Sequence, residues 1–300
     1  MVAVAEHRHF GRAAEACFVS QPTLSTQLKK LEETLGVMLI ERTNRRVMLS
    51  PEGEQIVAQA QRILSEVNTL LALSEQLQDP LGGELRVGII PTIAPYLLPQ
   101  ILGPIREAFP NLQLQLTEDQ TSHITRLLKR GDLDAILLAI PIPDLHDENI
   151  EEFELYAEPF YLAVGEHHAK AECQTVTPED LEGESVLLLE DGHCLRDQAL
   201  AVCHAHRGVE SKSYSATSLE TLRQLVGAGM GVTLMPEFAV PLVDRADEGK
   251  RAVGVGSNVR YIPFSEDDVP YRTLGLCWRS TSTRAELLAD LAKVLRTSLH

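Results

Sequence analysis

The chain has 300 residues, 44% of them hydrophobic and 23% charged, with a formal net charge of −16. That length exceeds one typical compact core, and the composition is that of an ordinary soluble globular protein of two or three units. No apolar run approaches the ~20 residues of a membrane span, and "MVAVAEHRHF" is interrupted by charge too early for a signal peptide. Five scattered cysteines, at 17, 173, 194, 203 and 277, do not make a secreted disulfide framework, so a cytoplasmic location with reduced thiols is expected. The charge is uneven. Residues 1–58 hold seven of the 27 Lys/Arg and seven of the 43 Asp/Glu, which leaves 20 basic and 36 acidic residues beyond position 58. Such asymmetry points to different partners for the two parts.

The N-terminal part reads as a helix-turn-helix. An Ala-rich segment covers about 12–17, Ser20 is placed to cap a second helix with Pro22 in its first turn, and Gly36 follows that helix. Leu24, Leu28, Leu31 and Leu35 recur at spacings of four, three and four, which predicts one buried stripe. Thr23, Thr26, Gln27 and Lys30 then form a polar face able to enter a major groove. "LIERTNRRVMLSPEG" predicts a β-hairpin wing whose Arg42, Arg45 and Arg46 would hold phosphates. The bland alternative is a helical hairpin with a solvated basic loop.

A long helix is predicted from Ser50 as cap and Pro51 as first helical residue. Ile56, Ala60, Ile63, Val67, Leu70, Ser74 and Leu77 alternate at four and three, the pattern of a coiled-coil seam, so a homodimer through 56–77 is expected. "QDPLGG" at 78–83 breaks the helix. The apolar runs 84–90, 112–116 and 133–140 alternate with helical segments without hairpin signals, which argues for a parallel sheet covered by helices. A second set comes next, with strands near 185–190 and 231–236, helices from about 195 and over 219–229, and a final helix over 283–297. The expected architecture is an all-α winged helix-turn-helix (1–58), a linker helix (50–78) and a two-lobed α/β domain resembling periplasmic binding proteins (84–300). A ligand would sit in the cleft between lobes.

"LLLEDGHCLRDQALAVCHAH" places Cys194 at the start of a helix and Cys203 nine positions on. A helix N-terminus and a neighbouring cation such as Arg196 favour a thiolate, which peroxide converts to a sulfenic acid that a second thiol can trap. If 194–203 stays helical, nine residues separate the two by about 13–14 Å on opposite faces. A disulfide needs Cα atoms within about 7 Å, so forming one would dismantle the helix. From the residues alone, other readings stay open. Cys203 could be a buried hydrophobe beside Ala201 and Val202. Cys194, Cys203, His204 and His206 could hold a metal, although the short Cys spacing of structural zinc is missing. A cysteine hydrolase using His193 lacks an orienting third group.

"AEHRHFGRAAEACFVSQPTLSTQLKKLEETLGVMLIERTNRRVMLSPEG" resembles the winged helix-turn-helix of LysR-type transcriptional regulators, and the resemblance extends over the whole chain. It implies Ser20, Gln21, Thr23, Ser25, Thr26 and Lys29 near the groove of operator DNA, with Arg42, Thr43 and Arg45 on the wing. Family members begin several residues earlier, so the first helix here is expected to be truncated. "GIIPTIAPYLLP", "LEDGHCLRDQA" and "ATSLETLR" are similar to the hydrogen-peroxide-sensing subfamily. That resemblance implies Cys194 as the peroxidatic thiol and Cys203 as its resolving partner, with His193 and Arg196 around the sulfur and Thr92 and Thr121 holding peroxide or water. The bland readings are helix caps for Thr92 and Thr121 and a turn residue for His193. The resemblance further implies no cofactor, no catalytic turnover, a homotetramer, RNA polymerase as a partner of an activator, and a thiol reductant for reset. The alternatives are a regulator answering a small metabolite in the cleft, its cysteines structural, and a thiol peroxidase using Cys194.

Overall fold

The computed structural model describes residues 1–42, 47–78, 81–142, 149–206, 208–241 and 258–299. The chain divides into two compact units, Met1–Ala72 and Leu73–His300.

In the first unit, α1 (Val2–His7), α2 (Phe10–Ala16) and α3 (Gln21–Leu35) precede a small antiparallel hairpin of β1 (Ile40–Arg42) and β2 (Val47–Leu49). His9 caps α2 by accepting from the amides of Gly11 and Arg12, and Ser20 caps α3 by accepting from that of Thr23. Leu24 and Leu28 bury against Val4, Ala13, Ala14, Leu39 and Ile40. The predicted leucine stripe ends early: Leu31 is half-buried and Leu35 is exposed, because the small core stops short of the last turn of α3.

α3 is tied to the hairpin through Glu32, whose Oε1 accepts from Leu39 N at 2.9 Å and Ile40 N at 3.3 Å. Ser50 Oγ donates to Met38 O at 2.5 Å and accepts from Gly53 N at 2.9 Å, which caps α4 (Pro51–Gln78) as the sequence predicts. Ile63, Val67 and Leu70 of the predicted seam are exposed in the single chain, while Ile56 packs on the unit's core.

The second unit contains two lobes. In the first, β3 (Gly83–Ile89) pairs in parallel with β4 (Leu112–Glu118) and β5 (Ala135–Ile140), with α5 (Ala94–Ala108), α6 (Thr121–Arg130) and α9 (Ala285–Ser298) around it. In the second, β7 (Ser185–Leu189) pairs in parallel with β8 (Val209–Ala216), beside α7 (Cys194–Ala205) and α8 (Leu219–Gly227). The expected parallel sheet is therefore only part of a mixed one. The 16-residue β6 (Ile150–Gly165) runs antiparallel to β11 (Tyr271–Arg279) over its first part. It then pairs antiparallel with β9 (Thr233–Pro236) and β10 (Val259–Pro263). β6 thus belongs to both lobes and links their two hydrophobic cores.

The close fit of α4 on the hairpin has a testable consequence. A Cβ on Gly53 would stand 2.1 Å from Leu39 O, a backbone atom that cannot swing away. Gly53→Ala is expected to lower the stability of the first unit by about 2–3 kcal/mol, as overpacking does, read as faster amide hydrogen exchange across Leu39–Leu49. Unchanged exchange there would show that the fit is looser than the geometry requires.

Candidate functional site

β3 runs into the turn at Thr92, which is buried in the first lobe. Arg272, at the start of β11, donates from Nη1 to Thr92 Oγ1 at 3.0 Å and from Nη2 to Thr92 O at 3.2 Å. Its Nε donates to Glu158 Oε2 at 2.7 Å, and Glu158 Oε1 accepts from Phe238 N of the second lobe at 2.8 Å. Arg272 and Glu158 are both buried, so each charge depends on the other. The pair fixes four segments: the β3–α5 turn, β6, β11 and the 3₁₀ turn Glu237–Ala239. Phe238 packs on the first lobe's core and Tyr96 of α5 packs on the second's, so the lobes also exchange aromatic side chains.

Thr92 does not cap α5, whose N-cap is Ile93 without a side-chain bond. Its hydroxyl oxygen accepts from Arg272, so its own proton points elsewhere. Thr121 likewise is not a cap: Gln120 holds that position and Thr121 is the first residue of α6. Thr121 Oγ1 is buried without a hydrogen-bond partner among the described residues.

α7 begins beside this region. Gly192 has φ +98°, and a Cβ there would lie 2.7 Å from Gln120 Oε1, so the β7–α7 turn touches the N-cap of α6. His193 is the N-cap of α7, buried, and supplies no side-chain cap bond. Cys194 is the first helical residue. It is half-buried and packs against the first lobe's core, while α7 itself rests on the second lobe through Leu195, Ala199 and Cys203. The turn that leads into α7 thus touches the N-cap of α6, where that helix's N-terminus is electropositive.

Arg196 is engaged on three sides. Its Nε pairs with Asp191 at 2.8 Å, Nη2 pairs with Glu210 at 2.7 Å, and Nη1 donates to Leu189 O at 3.1 Å. The Glu210 hydrogen bond holds its pKa above the ordinary value. The guanidinium fastens the first turn of α7 to β7 and β8, with two carboxylates offsetting its field.

Cys203 is buried, and desolvation pushes its thiol up to about 11. All five cysteines are free. α7 is unbroken from Cys194 to Ala205, so the two sulfurs stand about 13–14 Å apart along the axis on opposite faces. One metal ion cannot bridge them in this helix.

The residues expected near DNA are placed simply. Ser20, Gln21, Thr23, Thr26 and Lys29 are exposed on or beside α3, and Ser25 is half-buried. Lys29 pairs with Glu33 at 3.8 Å, and Ser20 Oγ bonds Thr23 Oγ1 at 2.8 Å. Arg42 ends β1, while Thr43, Arg45 and Arg46 lie outside the described residues. Sequence reasoning missed Arg272, Glu158 and Gln120. A lone arginine in "YRTLGLCW" and a lone glutamate in "YAEPFYLAV" were the available signal, since isolated charges within apolar runs need partners.

A helix-turn-helix followed by a two-lobed α/β domain, with a half-buried thiol between its lobes, defines a DNA-binding regulator with an effector site. Residues 1–54 match the bacterial regulatory helix-turn-helix protein model of the lysR family, and residues 78–300 match the LysR substrate binding domain. The chain is 44% identical to the DNA-binding transcriptional dual regulator OxyR of Escherichia coli K12 over 299 residues, 100% of this chain and 93% of the relative. A full-length cysteine-to-aspartate OxyR from Pseudomonas aeruginosa aligns with a TM-score of 0.70 at 38% identity, covering 98% of this chain and 92% of that one. A cysteine-to-serine mutant of Corynebacterium glutamicum OxyR, with hydrogen peroxide bound, aligns at 0.66 and 36%, covering 99% and 90%. The chain belongs to the LysR family of transcriptional regulators, in its OxyR branch.

The energetics of the site can be tested at two places. Arg272→Met leaves Glu158 buried and unpaired, and is expected to cost about 3–5 kcal/mol, measured by urea unfolding of the full chain. Glu158→Gln/Arg272→Met should recover much of that loss, and a double variant as unstable as the single one would remove the pair from its central place. Cys203 has a folded pKa raised above its unfolded value. Its contribution to stability is therefore complete below about pH 9 and lost as pH rises through about 11. Burial raises Cys277 in the same direction, so the test is the difference between wild type and Cys203→Ala. That difference should shrink by about 2–3 kcal/mol between pH 8.5 and 11, and a pH-independent one would place the thiol in a wetter setting.

Proposed function

We propose that this chain is a transcriptional regulator switched by hydrogen peroxide through a reversible Cys194–Cys203 disulfide. The observation that carries this reading is the position of Cys194 at the first turn of α7, half-buried against the first lobe's core, on a turn whose Gly192 touches Gln120, the residue before Thr121, whose buried hydroxyl has no described partner.

The chemistry proceeds in two steps. Peroxide is held by the hydroxyls of Thr92 and Thr121 with His193 at the side. The Cys194 thiolate attacks one peroxide oxygen, an S–O bond forms, the O–O bond breaks, and the departing hydroxide leaves as water after taking a proton. Cys194 is then a sulfenic acid. After α7 unwinds, the Cys203 sulfur attacks Cys194 Sγ, the S–S bond forms, and the S–O bond breaks with release of a second water. Peroxide has accepted two electrons and the two thiols have supplied them.

Unwinding is feasible because α7 is held lightly. Its N-cap makes no side-chain bond, Gln198 Oε1 is buried without a described partner, and the buried stripe is one leucine, one alanine and one cysteine. Exposing that stripe costs on the order of 3–5 kcal/mol. At about 1.4 kcal/mol per 30 mV, the cost raises the disulfide's reduction potential by roughly 60–110 mV over an unstrained one, into the range where cellular thiols reset it.

The same reading makes the protein a homodimer through the seam 56–77, where Ile63, Val67 and Leu70 are exposed on the single chain. It gives operator DNA as the partner of α3 and the wing, a cytoplasmic location, a homotetramer, RNA polymerase as the downstream contact and a thiol reductant for reset. Among the described residues no helix is long and apolar enough to cross a membrane.

The test is peptide mass spectrometry of the reduced full chain after near-stoichiometric peroxide, with free thiols blocked. A 194–203 linkage should appear before oxidation at Cys17, Cys173 or Cys277, and Thr121→Val should slow it about tenfold or more, the effect of losing one transition-state hydrogen bond. Cys194 remaining a free thiol while other cysteines oxidise would sink the proposal and favour a metabolite in the cleft.

A further inference from the structure

Among the described residues only two non-glycine positions have positive φ: Arg8, at 46°, and Phe18, at 54°. Phe18 sits in the turn between α2 and α3, two residues ahead of the cap of the recognition helix. The turn is a Schellman motif. Phe18 N donates to Glu15 O and Val19 N donates to Ala14 O, both at 3.0 Å, after Cys17 closes α2. Phe18 therefore occupies the left-handed position that glycine takes in this motif, where a bulky side chain is disfavoured.

The ring gains nothing in return within its own domain. Phe18 is 97% exposed, the most exposed large hydrophobic residue among those described, and it stands outside the core formed by Val4, Ala13, Leu24 and Leu28. Val19 beside it is also exposed. A disfavoured backbone combined with an unburied aromatic is the signature of a residue held for a partner outside the domain. The next residues of the chain identify that partner. Ser20, Gln21 and Thr23 are the exposed polar residues of the first turn of α3, the end of a recognition helix that meets base edges.

We propose that Phe18 is a DNA-contacting residue, its ring lying on the apolar surface of the major groove, thymine methyl and deoxyribose, where the recognition helix enters. This rests on the DNA-binding role of the helix-turn-helix and adds an apolar contact to its polar and cationic ones. The contact carries no charge, so it acts on sequence preference rather than on phosphate attraction.

The experiment uses the full chain and duplexes selected from a random-sequence pool by the wild-type protein. Affinity is measured by fluorescence anisotropy across salt concentrations, and local stability by hydrogen exchange over α2 and α3. Phe18→Gly should weaken binding about three- to tenfold, the scale of losing one or two buried methyl-sized contacts. The slope of affinity against salt should not change, and exchange in α2 and α3 should slow because the turn has lost its strain. Phe18→Leu should fall between Phe18→Gly and wild type. Binding within twofold of wild type would overturn the proposal and leave the ring for a protein partner. Weaker binding accompanied by faster exchange would overturn it as well, by making the ring structural. If wild type selects no sequence at all, the DNA-binding role fails and the Phe18 contact with it.

Discussion

Cys194 and Cys203 stand on opposite faces of one twelve-residue helix, and each face is turned to a different hydrophobic core. The helix satisfies both cores at once only while it is intact. A bond between the two sulfurs is incompatible with that arrangement, because the helical rise alone holds them about 13–14 Å apart. The proposed disulfide therefore cannot be absorbed as a local adjustment. It would withdraw Cys203 from the second lobe, release Leu195 and Ala199 with it, and remove Cys194 from the first lobe. A single covalent event is converted into a choice between two packings, which is what a switch requires.

The choice has to be confined, and the buried Arg272–Glu158 pair provides the confinement. It holds Thr92 in place and reaches the second lobe through Phe238 N, while β6 carries the sheet from one lobe to the other. Breaking such a pair would leave a buried charge without compensation, whereas α7 has no side-chain cap bond and rests on a short apolar stripe, so the proposed refolding runs through α7 and leaves the frame standing. Arg272 has a second effect. By donating to Thr92 Oγ1 it turns that hydroxyl's proton away from itself, so the same cation that joins four segments also orients a group of the proposed peroxide site. In the proposed switch, frame and site are joined at one residue.

The first unit was largely legible because its signals are local. Ser20, Ser50 and the leucines at 24 and 28 act within a few residues of themselves, and each does in the structure what its spacing implies. Leu35 failed because burial depends on where a core ends, which spacing does not encode. β6 was missed for a different reason. Its buried residues change parity, from Leu155 to Glu158, Phe160 and Leu162, where the strand leaves one lobe for the other and the ladder with β11 slips. An alternating pattern cannot survive that shift, and Pro159 obscured what was left. Arg272 and Glu158 are 114 positions apart. Each looked like an isolated charge in a strand, and only the mixed sheet brings them together. The cysteines were legible through helical geometry, since the distance between them comes from the rise per residue alone.

Charge decides how such a switch is read by DNA. The acidic excess lies wholly beyond residue 58, so the second unit adds no phosphate affinity and repels a duplex that comes within a Debye length of about 8 Å. Attraction rests on the seven cations of residues 1–58, and seven carboxylates share that segment. A head with so little electrostatic surplus binds weakly by itself. In the proposed dimer, useful affinity comes from engaging two heads together, where the second binding event occurs at high effective concentration only if the spacing of the heads matches that of the half-sites. A refolding of α7 then needs to touch no DNA contact. Any change in how the sensor domains hold their paired heads alters whether both can bind at once, and affinity responds through that geometry, with every side chain at the groove unchanged.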